Sequence, residues 1–504
     1  MPDKAIIGRQ AYGALSRRCL LVLSLLFPLV VFPLGFEPFD LPKRLLLLGG
    51  MLAIFCLQFG CLPAKLTGRG LRSTIILLLL FAGWVIFTGI FGNQTQAAAA
   101  IDKSFMVLLM VAVYAVETAK SSMFPKQLAL ALIAGASLQA LLVLFQAMGI
   151  DMVGVTTEQG RWRCYGTLGN PNNTAWHIAG GLVLLFGCVA IRQVRLLYAA
   201  ILSALLLAAI LLTGSRGALF SSLITVFCLL LGGKKPGLWL LMSLVAGTAV
   251  FFCWQYPERF FDNASIHGRY LHWQTGWRLF LENPWLGVGF GGFEPAFAEH
   301  LVREQAEQML DGDRRIFINQ LHQDYLQFAI ESGIIGLLLF LGLVAGVFKT
   351  GLACRLRHPW VLVYVLLMLN SLVLGLFDFP LHETVLWYLL LIAMGVVLGS
   401  TMAPLKPDSL AISSHKHIRL VKAVISVVGL TLFFYFGLAP WLADYCYAES
   451  LRLERLNRQA KMLFHNRLAV SLQPGEHRYR ANLNRLRHQA SEGGKALRLP
   501  TLTH

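Results

Sequence analysis

Residues 319–336 read NQLHQDYLQFAIESGIIG and pass without a break into LLLFLGLVAGVF at 337–348. A polar run joined directly to an apolar one is either a loop entering a membrane or the wall of a site at the membrane surface. The apolar half decides the fold, because the chain repeats it many times. Of the 504 residues 56% are hydrophobic and 14% charged, with a mean hydropathy of +0.63. Soluble domains carry about 25% charged residues, so a water-soluble fold is excluded. A spanning helix needs roughly 20 mostly apolar residues. Candidate runs occur at 19–35, 41–62, 73–91, 104–118, 126–149, 174–191, 196–213, 217–232, 236–253, 333–350, 359–377, 383–400 and 418–440. The fold class is therefore all-α, a polytopic membrane protein with about 12–13 transmembrane helices. The first run follows Arg17 and Arg18 like a signal peptide but ends in PLGFEPFD, with no small-x-small cleavage site, so it is read as a span.

The net charge of +17 is distributed by side. With a cytoplasmic N-terminus, the inner segments hold Lys4, Arg9, Arg17, Arg18, Lys65, Arg69, Arg72, Lys120, Lys126, Arg192, Arg195, Lys234 and Lys235. They continue with Lys349, Arg355, Arg357, Lys406, Lys416, Arg419 and Lys422. The short outer segments hold only Lys43, Arg44, Lys103, Arg161, Arg163 and Arg216. An excess of Lys and Arg inside sets membrane orientation, so the basic balance reflects the bilayer and does not point to nucleic acid. This leaves residues 1–440 as a transmembrane domain with a large outer loop at 254–332, and 441–504 as an outer tail. In the tail, YAESLRLERLNRQAKMLFHNRLAVSL reads as one helix with Leu451, Leu453, Leu456, Met462, Leu463 and Leu468 available for its buried face. QPGEHRYRANLNRL begins a second helix, and the pair reads either as the stub of a helical repeat or as a basic segment lying on lipid. Nine cysteines are scattered, mostly within spans; Cys164 and Cys446 fall outside and are candidates for pairing.

Ionisable groups placed where they are costly mark function in a membrane protein, and here they collect on the outer side. RWRCYGTLGNPNNTAWHIAGG at 161–181 contains Arg163, the turn residues Asn170 and Asn172, and His177 one turn inside a span. LLTGSRGALF at 211–220 sets Arg216 between two spans, on the side that the orientation rule denies to cations. HGRYLHWQTGWRLFLENPWLGVGFGGF at 267–293 reads as a helix with Tyr270, Trp273, Trp277 and Phe280 on one face and Arg269 near its start, resting at the interface. His267 and His272 lack the i, i+4 spacing of a helical zinc pair and read as exposed. His322 and Tyr325 fall three apart on one helical face, and Asp378 and His382 lie between two closely connected spans. DGD at 311–313 is too short a match to a sugar-nucleotide metal triplet to carry weight.

Taken together, TGSRG, GR…W…F..NP..GVGFG and N.LHQDYLQ…E.G..G resemble the O-antigen ligase and polymerase superfamily over roughly 161–400. Its relatives include bacterial protein O-oligosaccharyltransferases. The resemblance implies a GT-C-like glycosyltransferase in the bacterial inner membrane with a large periplasmic loop and periplasmic chemistry. Its donor is a glycan on undecaprenyl pyrophosphate, its acceptor a hydroxyl, and no metal or other cofactor is implied. By motif, Arg216 and Arg269 hold the donor pyrophosphate and His322 is the catalytic base. Arg163, Asn170, Asn172, His177, Tyr325, Asp378 and His382 are candidates for substrate binding. TLGNPN departs from the TLGQPN of the protein-glycosylating branch, while DFPL resembles both oligosaccharyltransferases and exopolysaccharide polymerases. Lipid A–core, a growing polysaccharide and a protein all stay open as acceptors. A transporter is the rival reading; it requires internal repeats and broken spans near the midplane, and the sequence has no such repeat.

Overall fold

The computed structural model describes residues 2–58, 69–91, 94–154, 163–231, 242–243, 245–248, 250, 263–299, 310–311, 314–315, 320–402, 427–456 and 458–492. The described chain is helical. It comprises α1 Pro2–Leu26, α2 Asp40–Gln58, α3 Arg69–Ile90, α4 Gln94–Lys120, α5 Phe124–Ala147, α6 Pro171–Ala190, α7 Leu196–Thr213 and α8 Arg216–Leu231. There follow α9 Asn263–Glu282, α10 Phe293–Glu299, α11 Asp324–Cys354, α12 Pro359–Gly375 and α13 Thr384–Gly399. The last helices are α14 Val427–Arg455, with a π-helical turn at Phe434–Leu438, α15 Gln459–Leu472 and α16 His477–Glu492. A minimal hairpin pairs Leu310–Asp311 (β1) with Arg314–Arg315 (β2). Each apolar run of the sequence carries helix among its described residues, though most of 236–253 lies outside them, as do Gly312 and Asp313 of DGD. Within the first run the helix ends at Leu26, because Pro28 and Pro33 cannot continue its hydrogen-bond ladder. Among the described residues, 7 helices are long and apolar enough to span, and α8, α12 and α13 are shorter apolar helices.

Two compact units are present: Met1–Leu29, Ala53–Met152 and Thr156–Ser414 in one, Val30–Leu52, Val153–Val155 and His415–His504 in the other. The core of the first is built around α6 and α13, whose side chains are almost all buried. Its buried tyrosine hydroxyls are paired, as a phenol shut off from water must be. Ser24 Oγ lies 2.8 Å from Tyr114 Oη and 2.9 Å from Tyr388 Oη. Toward the C-terminus of α4, fully buried Glu117 accepts from Arg17 Nε (3.1 Å) and Gln58 Nε2 (3.0 Å), tying α1 and α2 to α4. In the second unit, the tail that reads as one long helix turns at Leu456 into separate α14 and α15. Leu453, Met462 and Leu463 pack with Leu483 and Leu486 of α16, while Leu456 at the turn is exposed. Cys164 and Cys446 are each free thiols.

One helix departs from regular geometry. In α11, Gly333 takes φ +68° and ψ 178°, which breaks the helix into Asp324–Ser332 and Ile334–Cys354. The two backbone groups that the break orphans are both satisfied by the preceding loop. Val288 N donates to Ile330 O (2.8 Å), and Ile334 N donates to Pro284 O (2.8 Å). Trp84 Nε1 donates to Ser332 O (2.8 Å) from α3. A Cβ at 333 would lie 1.9 Å from Trp285 O, and one at Gly287 would lie 2.5 Å from Ile330 O, so both positions exclude side chains. This explains the glycines in NPWLGVG and ESGIIG: the two motifs are one packed joint. Gly333→Ala should cost about 1–3 kcal/mol in backbone strain alone, read as a lowered unfolding midpoint in detergent.

Candidate functional site

The site is built on helix ends. α7 closes with Gly214 in the left-handed conformation (φ +69°), and after Ser215 the chain starts α8 at Arg216. Arg163 stabilises this turn from the side. Its Nε donates to Thr213 O (2.5 Å), one of the carbonyls that α7 leaves unsatisfied, and its Nη2 donates to Asn172 Oδ1 (2.8 Å). Asn172 is in turn placed by the start of α6, where Pro171 follows the cap residue Asn170, whose side chain accepts from Asn172 N (2.8 Å). Asn170 and Asn172 thus hold Arg163, and Arg163 holds the turn carrying Arg216. His177 is buried within α6.

The second half of the site comes from α9 and two loops. Arg269 on α9 donates through Nη1 to Phe377 O (2.7 Å) and through Nη2 to Asp378 Oδ2 (3.3 Å). The other oxygen of Asp378 lies 2.6 Å from His322 Nδ1. Asp378 is 4% exposed, whereas Arg269 is 27% and His322 30% exposed. One buried carboxylate therefore aligns two accessible groups. A carboxylate at Nδ1 fixes the proton there and leaves Nε2 as the basic nitrogen. Phe379 meets the His322 ring edge-on (centroids 4.9 Å apart), and Trp176 meets Phe379 at 5.6 Å, so the imidazole has an apolar wall.

Charge is concentrated here. Burial lowers the Arg163 pKa, and the like charges of Arg216 and Arg269 lower it further, while Asp378 opposes them. Arg163, Arg216, Arg269 and Asp378 are thus electrostatic neighbours, with three guanidiniums to one carboxylate. The sequence reading sets these four residues and His322 in separate segments, which the structure brings together. That reading misses two features. His322 does not share a helical face with Tyr325: it precedes α11, in a left-handed conformation (φ +59°), and the helix starts at Asp324. Tyr325 instead donates to Leu372 O (2.6 Å), a packing role. His272 is also not exposed; only His267 is. Its ring stacks 6.3 Å from that of His322, and burial, with His322 and Arg269 nearby, pushes its pKa down to about 4, so it stays neutral. Helix α9 turns Thr275, Gly276 and Leu279 inward, leaving Tyr270 and Trp277 outside, because Trp273 Nε1 reaches Leu321 O (3.2 Å).

Behind this dyad lies another with the partners exchanged. His382 Nδ1 sits 2.6 Å from Asp324 Oδ1, and Asp324 Oδ2 accepts from Leu381 N (2.9 Å). Glu331 Oε2 is 3.9 Å from His382 Nε2, and Lys103 Nζ donates to Leu381 O (3.0 Å). The loops at 320–324 and 377–382 each contribute one histidine and one carboxylate, crossed over. Asp324, Glu331 and Lys103 escaped the sequence reading as site residues, although H-x-D at 322–324 facing D-x3-H at 378–382 was the available signal. His382 is only a tenth exposed, so it braces the site instead of lining it. Burial alone would lower its pKa, but the hydrogen bond to Asp324 and the charge of Glu331 outweigh this and raise it from 6.5 to about 9. A raised histidine stabilises fully below its unfolded pKa and loses that contribution as pH rises through the folded one. The unfolding midpoint should therefore fall between about pH 6.5 and pH 9, and His382→Gln should flatten that decline.

Apolar spanning helices surrounding a cationic site at one set of helix ends define a multi-pass membrane protein. The family described as O-antigen ligase matches residues 180–341. The matched segment contains Arg216, Arg269 and His322, and the match supports likeness to the O-antigen ligase/polymerase superfamily and a ligase- or polymerase-like function in general. No curated protein matched the chain closely enough to be compared with it. Among the described residues no group of three His, Cys, Asp or Glu side chains is arranged to hold a metal ion.

Proposed function

We propose that the chain transfers a glycan from undecaprenyl pyrophosphate to an acceptor hydroxyl at the periplasmic face of the bacterial inner membrane, in the manner of an O-antigen ligase. The observation that carries the reading is the gathering of Arg216, Arg269 and Asp378 about Arg163, with Asp378 bonded to both Arg269 and His322. Pyrophosphate bears the opposite charge, and planar guanidinium forks match its oxygens.

His322 Nε2 takes the proton of the acceptor hydroxyl as its oxygen attacks the anomeric carbon. The new C–O bond forms while the bond from that carbon to the pyrophosphate oxygen breaks, and the lipid pyrophosphate leaves with the electron pair. Arg216 and Arg269 stabilise the charge that grows on the departing oxygen, the type of electrostatic help that most lowers such barriers. Arg163 adds to the positive field and fixes Arg216. Asp378 holds the His322 tautomer and stabilises its imidazolium. Lipid A–core, a growing polysaccharide and a protein remain the acceptor classes.

The test is donor binding to the protein in nanodiscs. Undecaprenyl pyrophosphate should bind well ahead of undecaprenyl monophosphate, and neutral undecaprenol least. Equal affinity for undecaprenol would contradict an anion-binding role for the cluster.

A further inference from the structure

Helix α9 carries site residues on one side and an unusual surface on the other. Tyr270 (54% exposed), Trp277 (52%) and Leu281 (56%) recur at i, i+7 and i+11, a narrow stripe along its outer face. Exposed His267, Arg278 and Glu282 flank the stripe on one side, and Gln274 donates to the Tyr270 hydroxyl (2.7 Å) at its edge. After the helix, Trp285 (67%) and Leu286 (45%) continue the apolar surface. Five large apolar side chains so exposed form a patch of the kind that marks an interaction surface.

The fold says what covers it. Pro284 O accepts from Ile334 N, which fixes the Pro284–Leu286 turn at the break in α11. From Ile334 to Cys354 the helix is regular, roughly 20 residues at 1.5 Å each, or about 30 Å, the thickness of a hydrocarbon core. The turn is thus pinned at the end of a membrane-length span. Trp84 of α3 bonds to Ser332 at the same break, and the last turns of α3 also expose Phe87, Ile90 and Phe91. The turn after α9 therefore meets the same break as the exposed apolar end of α3. Tyr and Trp with polar flanks are the composition of a membrane–water interface.

We propose that the outer stripe of α9 and the turn after it lie in the lipid interface, so that α9 is an interfacial helix with bilayer on one side and Arg269 and His272 on the other. The partner is the bilayer itself. The helix lies in the interface plane, its stripe sunk toward the acyl chains and Arg278 and Glu282 turned to water. Arg269 then sits at headgroup depth. This assignment does not depend on the glycan-transfer reading.

The experiment is site-specific photocrosslinking of the full-length protein in phospholipid vesicles. Benzoylphenylalanine replaces Leu281, Trp285, Arg278 or, as a lipid-facing control within the span, Leu338, and mass spectrometry weighs the adducts. Leu281 and Trp285 should give lipid adducts in yields approaching that of Leu338 and several-fold above that of Arg278. Adducts at Leu338 alone would overturn the proposal. So would crosslinks from 281 and 285 to a second copy of the chain, because the patch would then be a protein interface. These side chains are already exposed, so the substitutions leave the packed joint at Gly333 undisturbed.

Discussion

Arg269→Ala should lower glycan transfer by about 10²–10³-fold, the loss typical when one preorganised group that meets developing negative charge is removed. Arg269 is bonded at both ends of its fork, to Phe377 O and Asp378 Oδ2. Its removal takes away a cation and also frees one side of the carboxylate that aligns His322. Arg216→Ala should produce a loss of the same order through a different route, since Arg216 is delivered by the Gly214 turn and not by Asp378. The two single losses should therefore not share a cause, and Lys should restore each only in part, because the bidentate geometry is gone. The measurement is kcat/KM for transfer in proteoliposomes, with membrane insertion compared by quantitative blot. Full activity in Arg269→Ala would remove the guanidinium from the mechanism.

The second large effect is expected at Asp378. Its Oδ1 sits 2.6 Å from His322 Nδ1. An amide at this position can present its NH2 to the ring, which moves the ring proton to Nε2 and removes the base. Asp378→Asn should therefore cost about as much as His322→Ala, within the 10²–10⁴-fold range of positioned acid–base groups. The loss should fall on kcat while donor affinity changes little. Asp378→Glu, which keeps the charge, should recover part of the rate. A donor-affinity loss without a kcat loss would show instead that Asp378 acts only through Arg269.

The membrane fold is legible from apolar runs because each span must meet the bilayer thickness within its own stretch of sequence. Arg216 stands out as a candidate for a related reason, since a charge at the end of an apolar run differs from its neighbours, whereas Arg269 and His322 are singled out by motifs that resemble a family. What joins them is not. Asp378 is 109 residues from Arg269 and 56 from His322, and no periodicity connects such positions. Arg163 presents the same difficulty, since its role as cap of α7 crosses 50 residues. The sequence sets Tyr270, Trp273, Trp277 and Phe280 on one face of α9, but Trp273 and Phe280 pack against the cluster of Leu279 and Leu321 while Tyr270 and Trp277 stay exposed, a split that aromatic spacing does not carry. Helical periodicity also carried His322 into α11, although the chain at His322 is left-handed and the helix begins two residues later. Local pattern reports which residues share an element, and side chains that reach between elements lie beyond it.

The most direct measurement is transfer itself. The purified protein would be placed in liposomes with an undecaprenyl-pyrophosphate glycan and offered lipid A–core, glycan acceptor or pilin-type protein in parallel, with products weighed by mass spectrometry. The expected result is the glycan mass added to one acceptor class, with undecaprenyl pyrophosphate released and the reaction lost in Arg216→Ala and His322→Ala. Transfer that persists undiminished in both variants would contradict the assignment of the chemistry to this site.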